Sequence, residues 1–512
     1  MADISKKYLN NPYISLNLQH NQIISHSFLK SDLANKCLQV FFNLFETYES
    51  EMSDENLINY NYTIYTGVSG HSYFYIHLYQ RILLLSNHYG KKFMESHFKN
   101  LLRYKDDKLS DILNSLLTKA KYYANIPNID YLLTKHVNRP SLINGLAGLL
   151  YVRFLVFTHF NQFAKRNDCL IKLIKMHEYI AEKKKDSDQS PNEILYGKAG
   201  YLMCLLFIHD YYERPKVTLC RIIETNFLGS VFLYGLGHTS RRMKPDFPIH
   251  HNFIHSFGEI PKSHAPSSSN HNPKLTIDAN VKDSLINAIH KISVIILKEG
   301  KRYSRQNDHQ CPLMYEWHDK EYIGAAHGVS GILYALTCVI PLNILPEKYI
   351  LLIKHSISYL SSLQFDSGNF PSSLPVGSDK LVQWCHGAPG VIYTFLKAAE
   401  VFPEKEAIFL SVSLKCGECI WEKGLLAKSY GLCHGVSGNA YAFLALYNFT
   451  GDSLHLNRAL KFGKWFEDYG RHGCRTPDTP YSLFEGLAGP LNFLIDIICP
   501  KSAKLPLYQI GI

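Results

Sequence analysis

The chain has no uncharged run of about 18 apolar residues, the length that a helix needs to cross a membrane. The first residues lead into a polar stretch around Asn10, without the apolar core of a secretory signal. The 12 cysteines are spread thinly over 512 residues, unlike the dense disulfide framework of a small secreted domain. These absences predict a cytoplasmic protein with reduced cysteines, several of which pack in the core as small hydrophobic side chains.

The chain also lacks the marks of a nucleic-acid-binding protein. Its 54 Lys and Arg residues outnumber its 44 Asp and Glu residues, which gives a formal net charge of +10. The basic residues are scattered, and they form neither a basic face interleaved with aromatic residues nor a helix-turn-helix signature. We therefore expect no nucleic-acid partner. The charge favours anionic ligands or a peripheral position at the plasma membrane.

What the chain does contain is a short internal repeat: a glycine, two further residues, a second glycine and then an apolar run. The last intervals between copies, from 328 to 387, from 387 to 435 and from 435 to 486, are 59, 48 and 51 residues. Such spacing suits two helices and two loops per repeat. The seven copies start at Gly67, Gly145, Gly197, Gly328, Gly387, Gly435 and Gly486.

The repeat predicts an all-α fold. The runs at 149–157 and 392–399 are too continuously apolar for surface helices and indicate buried inner helices, whereas segments such as 407–422 and 456–469 have one polar face and suit an outer layer. Seven such pairs predict an α/α toroid of seven inner and seven outer helices, in a single domain over residues 1–512. Because glycine lacks a Cβ atom, helix N-termini can crowd together, so the residues before each copy should line a common mouth.

One stretch breaks the period, because the third and fourth copies start 131 residues apart, at 197 and 328. Much of the excess is polar and lies at about 237–280, where several histidines and the run Pro266–Ser269 occur. We interpret this stretch as a disordered surface insertion and not as a second metal site, because a metal cluster needs fixed geometry.

Histidine precedes three of the seven copies, as His327, His386 and His434, and cysteine precedes two of these histidines, as Cys385 and Cys433. If the repeats superpose, both Cys-His pairs lie at the mouth in adjacent repeats, and two sulfurs with an imidazole suit one Zn²⁺ ion. Four protein ligands would make a closed structural site, whereas three would leave a position for water or substrate. The residues alone leave both arrangements open.

Three other interpretations are weaker. Cys416 and Cys419 share one helical face, but no partner pair at zinc-ribbon spacing accompanies them, which favours core packing. A toroidal glycosidase needs paired carboxylates at its mouth, and only Glu485 directly precedes a repeat. Protein prenyltransferase β-subunits hold zinc in a helical toroid with an Asp-Cys-His set, whereas this chain offers two cysteines.

Four longer motifs surround these residues: Gln383-Trp-Cys-His-Gly-Ala-Pro-Gly390, Tyr430-Gly-Leu-Cys-His-Gly435, Pro480-Tyr-Ser-Leu-Phe-Glu-Gly-Leu-Ala-Gly489 and Pro312-Leu-Met-Tyr-Glu-Trp317. They resemble motifs of the LanC-like family, the eukaryotic relatives of bacterial lanthionine cyclases. The resemblance extends from residue 11 to the last repeat, with 237–280 as an insertion. It implies the double-layered toroid, with zinc held by Cys385, Cys433 and His434, His386 outside the ligand set and the fourth position open.

The resemblance also implies a ligand, because relatives in this family bind glutathione near the zinc. Glutathione carries two carboxylates, which an arginine fork and a lysine would bind through charge-assisted hydrogen bonds. The positions that match the family's contacts here are Lys428, Arg475, Thr476, Pro477 and Asp478.

The implied activity is activation of the glutathione thiol for addition to dehydroalanine or dehydrobutyrine in proteins, with transferase behaviour towards small electrophiles as well. His327 is the candidate acid that protonates the resulting enolate, since an unperturbed histidine pKa of about 6.5 suits this task. Bacterial cyclases also use an Asp near the third repeat, where this chain has Leu195, Tyr196 and Gly197, so peptide ring closure is not expected. The alternative function is a non-catalytic glutathione-binding adaptor with a structural zinc.

Overall fold

The computed structural model describes residues 7–14, 32–52, 61–89, 109–136, 139–182, 190–213 and 278–511. These residues belong to one compact unit that comprises 1–213 and 277–512. The predicted insertion at 237–280 lies outside the described residues, apart from residues 278–280, which form the start of a long helix. Its disorder, and the single-domain organisation of the whole chain, stay predictions.

The described residues form fifteen α-helices and one short antiparallel strand pair. The strands are β1 (Glu321–Tyr322) and β2 (Ser373–Leu374). The helices are α1 (Asp32–Glu51), α2 (Val68–Tyr89), α3 (Leu109–Asn125), α4 (Ile129–Lys135), α5 (Leu146–His159), α6 (Phe163–Glu182), α7 (Lys198–Glu213), α8 (Ala279–Gln306), α9 (Val329–Thr337), α10 (Glu347–Ser361), α11 (Ala388–Val401), α12 (Glu406–Lys423), α13 (Val436–Thr450), α14 (Ser453–Trp465) and α15 (Ala488–Asp496).

Seven helices form the inner layer, and each begins one or two residues after the first glycine of a repeat. They are α2, α5, α7, α9, α11, α13 and α15. Each contacts the next along the chain, and α15 contacts α2, so the layer closes into a ring. Because the inner helices are covered on all sides, they are apolar around most of their circumference, and α5, α11 and α13 bury almost every residue of their first three turns.

The other long helices form the outer layer, one for each inner helix. The pairs are α3 on α2, α6 on α5, α8 on α7, α10 on α9, α12 on α11, α14 on α13 and α1 on α15. Cys416 and Cys419 lie on the buried face of α12, and burial raises the pKa of both thiols, in agreement with core packing. The predicted seven-by-seven α/α toroid is confirmed.

The second glycine of each repeat is needed because a carbonyl oxygen approaches it closely. A Cβ atom on Gly390 would lie 1.9 Å from the oxygen of Trp384, and one on Gly438 would lie 1.9 Å from the oxygen of Leu432. In both cases the carbonyl belongs to the residue six positions earlier, so the loop folds back tightly over the start of its own helix. This packing brings the residues before each repeat to one end of the ring.

Backbone hydrogen bonds connect these loops around the ring. The residues joined by backbone bonds lie two positions before each first glycine, so the repeats are in register at the mouth, and between the second and third repeats a side-chain bond from Ser141 takes the place of the backbone bond. The bonds run from the N–H of Tyr65 to the oxygen of Ile143 (3.0 Å), Leu195 to Ala326 (3.3 Å), Ala326 to Cys385 (3.5 Å), Cys385 to Cys433 (3.2 Å), Cys433 to Phe484 (2.9 Å) and Phe484 to Tyr65 (3.2 Å), and the hydroxyl of Ser141 donates to the oxygen of Leu195.

The segment that follows α15 packs back into the ring of inner helices. Tyr508 is fully buried, and its ring centroid lies 4.8 Å from that of Tyr334, 5.2 Å from that of Trp384 and 5.5 Å from that of Tyr393. Trp384 directly precedes Cys385, so this aromatic cluster supports the mouth from the core side. None of the described helices is long and apolar enough to span a membrane.

Candidate metal centre

Cys385, Cys433 and His434 meet at the mouth of the ring, where their ligand atoms all lie within 4.8 Å of one another. They form the only group of three or more His, Cys, Asp or Glu side chains at metal-binding separation within the part of the chain that the structure describes. Both thiols are buried and the imidazole is half-buried. Two thiols and one imidazole are ligands that Zn²⁺ prefers.

The loops before α11 and α13 place the two cysteines, because they occupy the same position in adjacent repeats. The backbone N–H of Cys385 donates to the oxygen of Cys433, which fixes the two loops side by side. The neighbouring His386 lies outside the group: its ring centroid is 5.6 Å from that of Tyr322 and 6.2 Å from that of His327.

The surroundings favour a thiolate at Cys385. A hydrogen bond from Cys433, together with one from His434, holds the pKa of Cys385 well below the ordinary value of a thiol. The side-chain amide of Gln383 also donates to the Cys385 Sγ atom at 3.0 Å. Burial raises the pKa of Cys433, while a hydrogen bond from the Tyr65 hydroxyl opposes that shift. A thiolate is the form that binds a metal, so one ligand is prepared for coordination.

His327 is held by a buried carboxylate. Its Nδ1 atom lies 2.8 Å from Oε2 of Glu193, which is 1 % exposed. Glu193 also accepts the backbone N–H groups of Leu195 and Tyr196, at 2.8 and 2.5 Å, and the Tyr196 ring stacks on the imidazole. In the tautomer that suits this contact, Nδ1 carries the hydrogen and donates it to the carboxylate, which leaves Nε2 for acid–base chemistry.

Glu193 is the residue that the sequence interpretation missed. No carboxylate was predicted in the third repeat, because Leu195, Tyr196 and Gly197 directly precede the helix. Glu193 lies four residues before Gly197, and the loop turns back so that its carboxylate caps two N–H groups and reaches His327. The sequence between α6 and Gly197 holds three acidic residues, Asp186, Asp188 and Glu193, and the signal that was available is that Glu193 is the nearest of them to the repeat.

One tyrosine ring packs against both His327 and His386, the residue that follows the candidate ligand Cys385. The ring centroid of Tyr322 lies 5.8 Å from that of His327 and 5.6 Å from that of His386. Tyr322 is in β1, and the pairing of β1 with β2 holds this tyrosine beside the mouth. The candidate acid therefore faces the same end of the ring as the three candidate ligands.

The five predicted glutathione contacts lie together at one edge of the protein. The backbone N–H of Arg475 donates to the oxygen of Ala427, at 3.3 Å, which sets the 475–478 loop beside Lys428. Arg475 is 72 % exposed and forms an ion pair with Asp478 at 3.3 Å, while Thr476 is exposed and Pro477 half-buried. Burial lowers the pKa of His386, and the positive charge of Lys428 adds to the shift, so this edge adjoins the mouth.

Three polar residues of the family motifs, Tyr315, Glu316 and Glu485, lie outside the group of candidate ligands. Tyr315 is buried, and its hydroxyl donates to the oxygen of Ile296 at 3.2 Å, so its role is packing. Glu316 accepts a hydrogen bond from Tyr303. Glu485 lies near the metal centre, where burial and the charges of Cys433 and Glu485 raise the pKa of Tyr65.

Comparisons with known proteins identify the family and the fold. The family model described as lanthionine synthetase C-like protein matches residues 58–244 and 270–510. A Danio rerio protein named glutathione S-transferase LANCL1 is 36% identical over 368 residues, which are 72% of this chain and 73% of that relative. The Arabidopsis thaliana LanC-like protein GCL1 is 39% identical over 228 residues, 43% of this chain and 51% of its own length. The solved structure of nisin cyclase matches 90% of this chain and 93% of its own, with a TM-score of 0.51 at 14% identity, which is a likeness of fold.

Proposed function

Because the chain belongs to the lanthionine synthetase C-like family, we propose that it is a zinc-dependent transferase that adds the thiol of glutathione to dehydroalanine or dehydrobutyrine residues in proteins. The observation that carries the proposal is the convergence of Cys385, Cys433 and His434, with ligand atoms within 4.8 Å of one another. A relative with 36% identity is named as a glutathione S-transferase, which supports glutathione as the thiol.

The donor set fits zinc as a catalytic ion. Three protein ligands leave one position of a tetrahedral site for a substrate. When bound, zinc supplies the Lewis acidity that converts a thiol, whose usual pKa is about 8.5, into a thiolate at neutral pH. Cys385, Cys433 and His434 would hold the ion, and Gln383 and Tyr65, which hydrogen-bond to the two sulfurs, would orient them.

Glutathione would be held at the edge formed by Lys428 and the 475–478 loop. The Arg475 guanidinium suits one carboxylate of the tripeptide through two parallel hydrogen bonds, and the Lys428 ammonium suits the other. Asp478 is the present partner of Arg475 and is exposed, so exchanging it for a ligand carboxylate costs little. It is then also available to the glutathione amine.

The addition requires one proton at a defined carbon. The glutathione sulfur forms a bond to the β-carbon of the dehydroamino acid, the carbon–carbon double bond becomes single, and the α-carbon takes a proton. His327 would deliver this proton from Nε2, with Glu193 at Nδ1 stabilising the charged imidazole and fixing its orientation. The proton lost by the thiol restores the acid for the next cycle.

The proposal is tested by incubating the purified protein with glutathione and a dehydroalanine peptide and measuring the mass of the product. We expect one added glutathione per dehydroalanine, at a rate that falls to the uncatalysed rate after zinc is removed with a chelator and recovers when zinc is restored. Cys416→Ala, which removes a buried thiol on α12, is the matched control and should retain activity. If zinc-loaded protein bound glutathione but formed no adduct, the chain would be a non-catalytic glutathione-binding adaptor.

A further inference from the structure

The outer helix α8 carries a row of positive charges near its C-terminal end. The row begins at Lys298 and continues three, four and seven positions later, at Lys301, Arg302 and Arg305. This spacing places the four side chains on one face of the helix. Lys348, at the start of α10, lies alongside and lines the same cavity as these four. These five residues are called the basic patch below. None of them belongs to the metal centre or to the glutathione edge.

Two adjoining cavities open at the basic patch, with volumes of about 580 and 470 Å³. Lys301 and Arg305 line both of them. The first is also lined by the hydrogen-bonding side chains of Ser304 and His309, and the second by that of Gln306. Volumes of a few hundred Å³ are typical of sites for small ligands. The surface here is an open, shallow depression that is rich in hydrogen-bond donors.

Within the part of the chain that the structure describes, no ion pair neutralises the charges of the basic patch. No carboxylate oxygen of a described residue lies within 4.0 Å of any of the five cations. Glu299, the acidic residue within this stretch of α8, is engaged by Lys198 at 2.8 Å. Asp308 is the single carboxylate that lines either cavity. Like charges three and four residues apart on a helix repel each other, and a bound anion would relieve this repulsion.

We propose that the basic patch binds a small ligand that carries several phosphate groups. The two arginines offer planar forks that match phosphate oxygens, and the three lysines add point charges around them. Because five cations from two helices converge on one small depression, the charge is concentrated as a compact ligand requires, and is not spread as a membrane surface or a nucleic-acid duplex requires. A soluble polyphosphorylated molecule and the phosphorylated headgroup of a lipid share this chemistry.

The experiment is titration calorimetry of the full chain with inositol hexakisphosphate at physiological salt. Wild type should show saturable binding at one site, and Lys301→Glu/Arg305→Glu should weaken it at least about tenfold, because two charge-assisted contacts are lost. The matched control is Lys175→Glu/Lys415→Glu, which changes the net charge by the same amount on the exposed faces of α6 and α12. The Kd of this control should stay within about twofold of the wild-type Kd. Vesicles that contain a phosphoinositide, compared with phosphatidylserine vesicles of equal charge, distinguish a lipid headgroup from a soluble source.

Three results would overturn the proposal: no binding by wild type, equal weakening in the control variant, or equally tight binding of duplex DNA, which would mark a non-specific electrostatic surface. A second variant, Lys298→Gln/Arg302→Gln, keeps the test valid if the first does not fold. Both variants should retain adduct formation with glutathione, so failure here is distinguishable from failure of the proposed function.

Discussion

Replacing Glu193 with glutamine is expected to lower the turnover number of the transferase reaction by about 10- to 100-fold while leaving the KM for glutathione almost unchanged. Glutamine has nearly the same shape, but it removes the negative charge that faces His327 Nδ1 at 2.8 Å. The charged imidazole then loses its charge-assisted hydrogen bond, and the ring is free to present the other tautomer. Binding of glutathione does not involve either residue, so the effect is confined to the proton-transfer step.

The substitution also has a structural cost, which the assay must separate from the chemical one. Glu193 is buried and accepts two backbone N–H groups, and an amide oxygen replaces those bonds only in part, so we expect a loss of about 1–3 kcal/mol in the free energy of unfolding. Glu299→Gln is the matched control, because it breaks the ion pair with Lys198 in the same part of the ring without touching His327. It should destabilise the protein and leave the turnover number within about twofold.

A double-mutant cycle completes the test. If Glu193 acts through His327, then His327→Gln and Glu193→Gln together should slow turnover no more than His327→Gln alone. The reasoning is refuted if zinc-loaded, folded Glu193→Gln turns over at the wild-type rate, if Glu299→Gln slows turnover as much, or if the two effects on the rate multiply.

Three further changes probe other parts of the molecule. Arg475→Ala should raise the KM for glutathione about tenfold with little change in turnover, whereas Arg471→Ala, an exposed arginine in the same region, should change neither in steady-state assays. Gly390→Ala should lower the free energy of unfolding, measured in urea, by at least about 3 kcal/mol, because the new Cβ atom would lie 1.9 Å from a carbonyl oxygen. Gly377→Ala is the control and should change it little, because no atom lies within 4 Å of the new Cβ position. Burial lowers the pKa of His71 to about 3, so the unfolded chain takes up a proton at a higher pH than the folded chain does. The free energy of unfolding is therefore highest above about pH 6.5 and falls towards pH 3, with a loss of about 2–3 kcal/mol at pH 4.5. His71→Gln should flatten this pH dependence in urea titrations.

The layers of the fold were predictable because the repeat has a steric cause. Six of the seven second glycines lie where a carbonyl oxygen leaves no room for a Cβ atom, as at Gly390, and each following apolar run is an inner helix. Cys385 and Cys433 were predicted to be neighbours for the same reason, because both lie two positions before the first glycine of adjacent repeats. The hydrogen bond from the N–H of Cys385 to the oxygen of Cys433 is equivalent to the bonds that join other neighbouring repeats.

The parts that escaped prediction come from side chains outside this register. Glu193 reaches His327 across the boundary between two repeats, and nothing in its spacing from Gly197 indicates that contact. Gln383 donates to Cys385 only because the loop turns sharply between them. The basic patch combines one face of α8 with Lys348 of another helix, so in the sequence its residues are not distinguishable from scattered charges.

Zinc content tests the central claim most directly. Metal analysis of purified wild type should give one equivalent of zinc per chain, held by three protein ligands, and Cys433→Ala should lose most of it, since an open site with two ligands binds weakly. Cys416→Ala, which removes a buried cysteine from α12, should retain the full equivalent. A full equivalent of zinc in Cys433→Ala, with wild-type adduct formation, would contradict the proposed ligand set and the mechanism built on it.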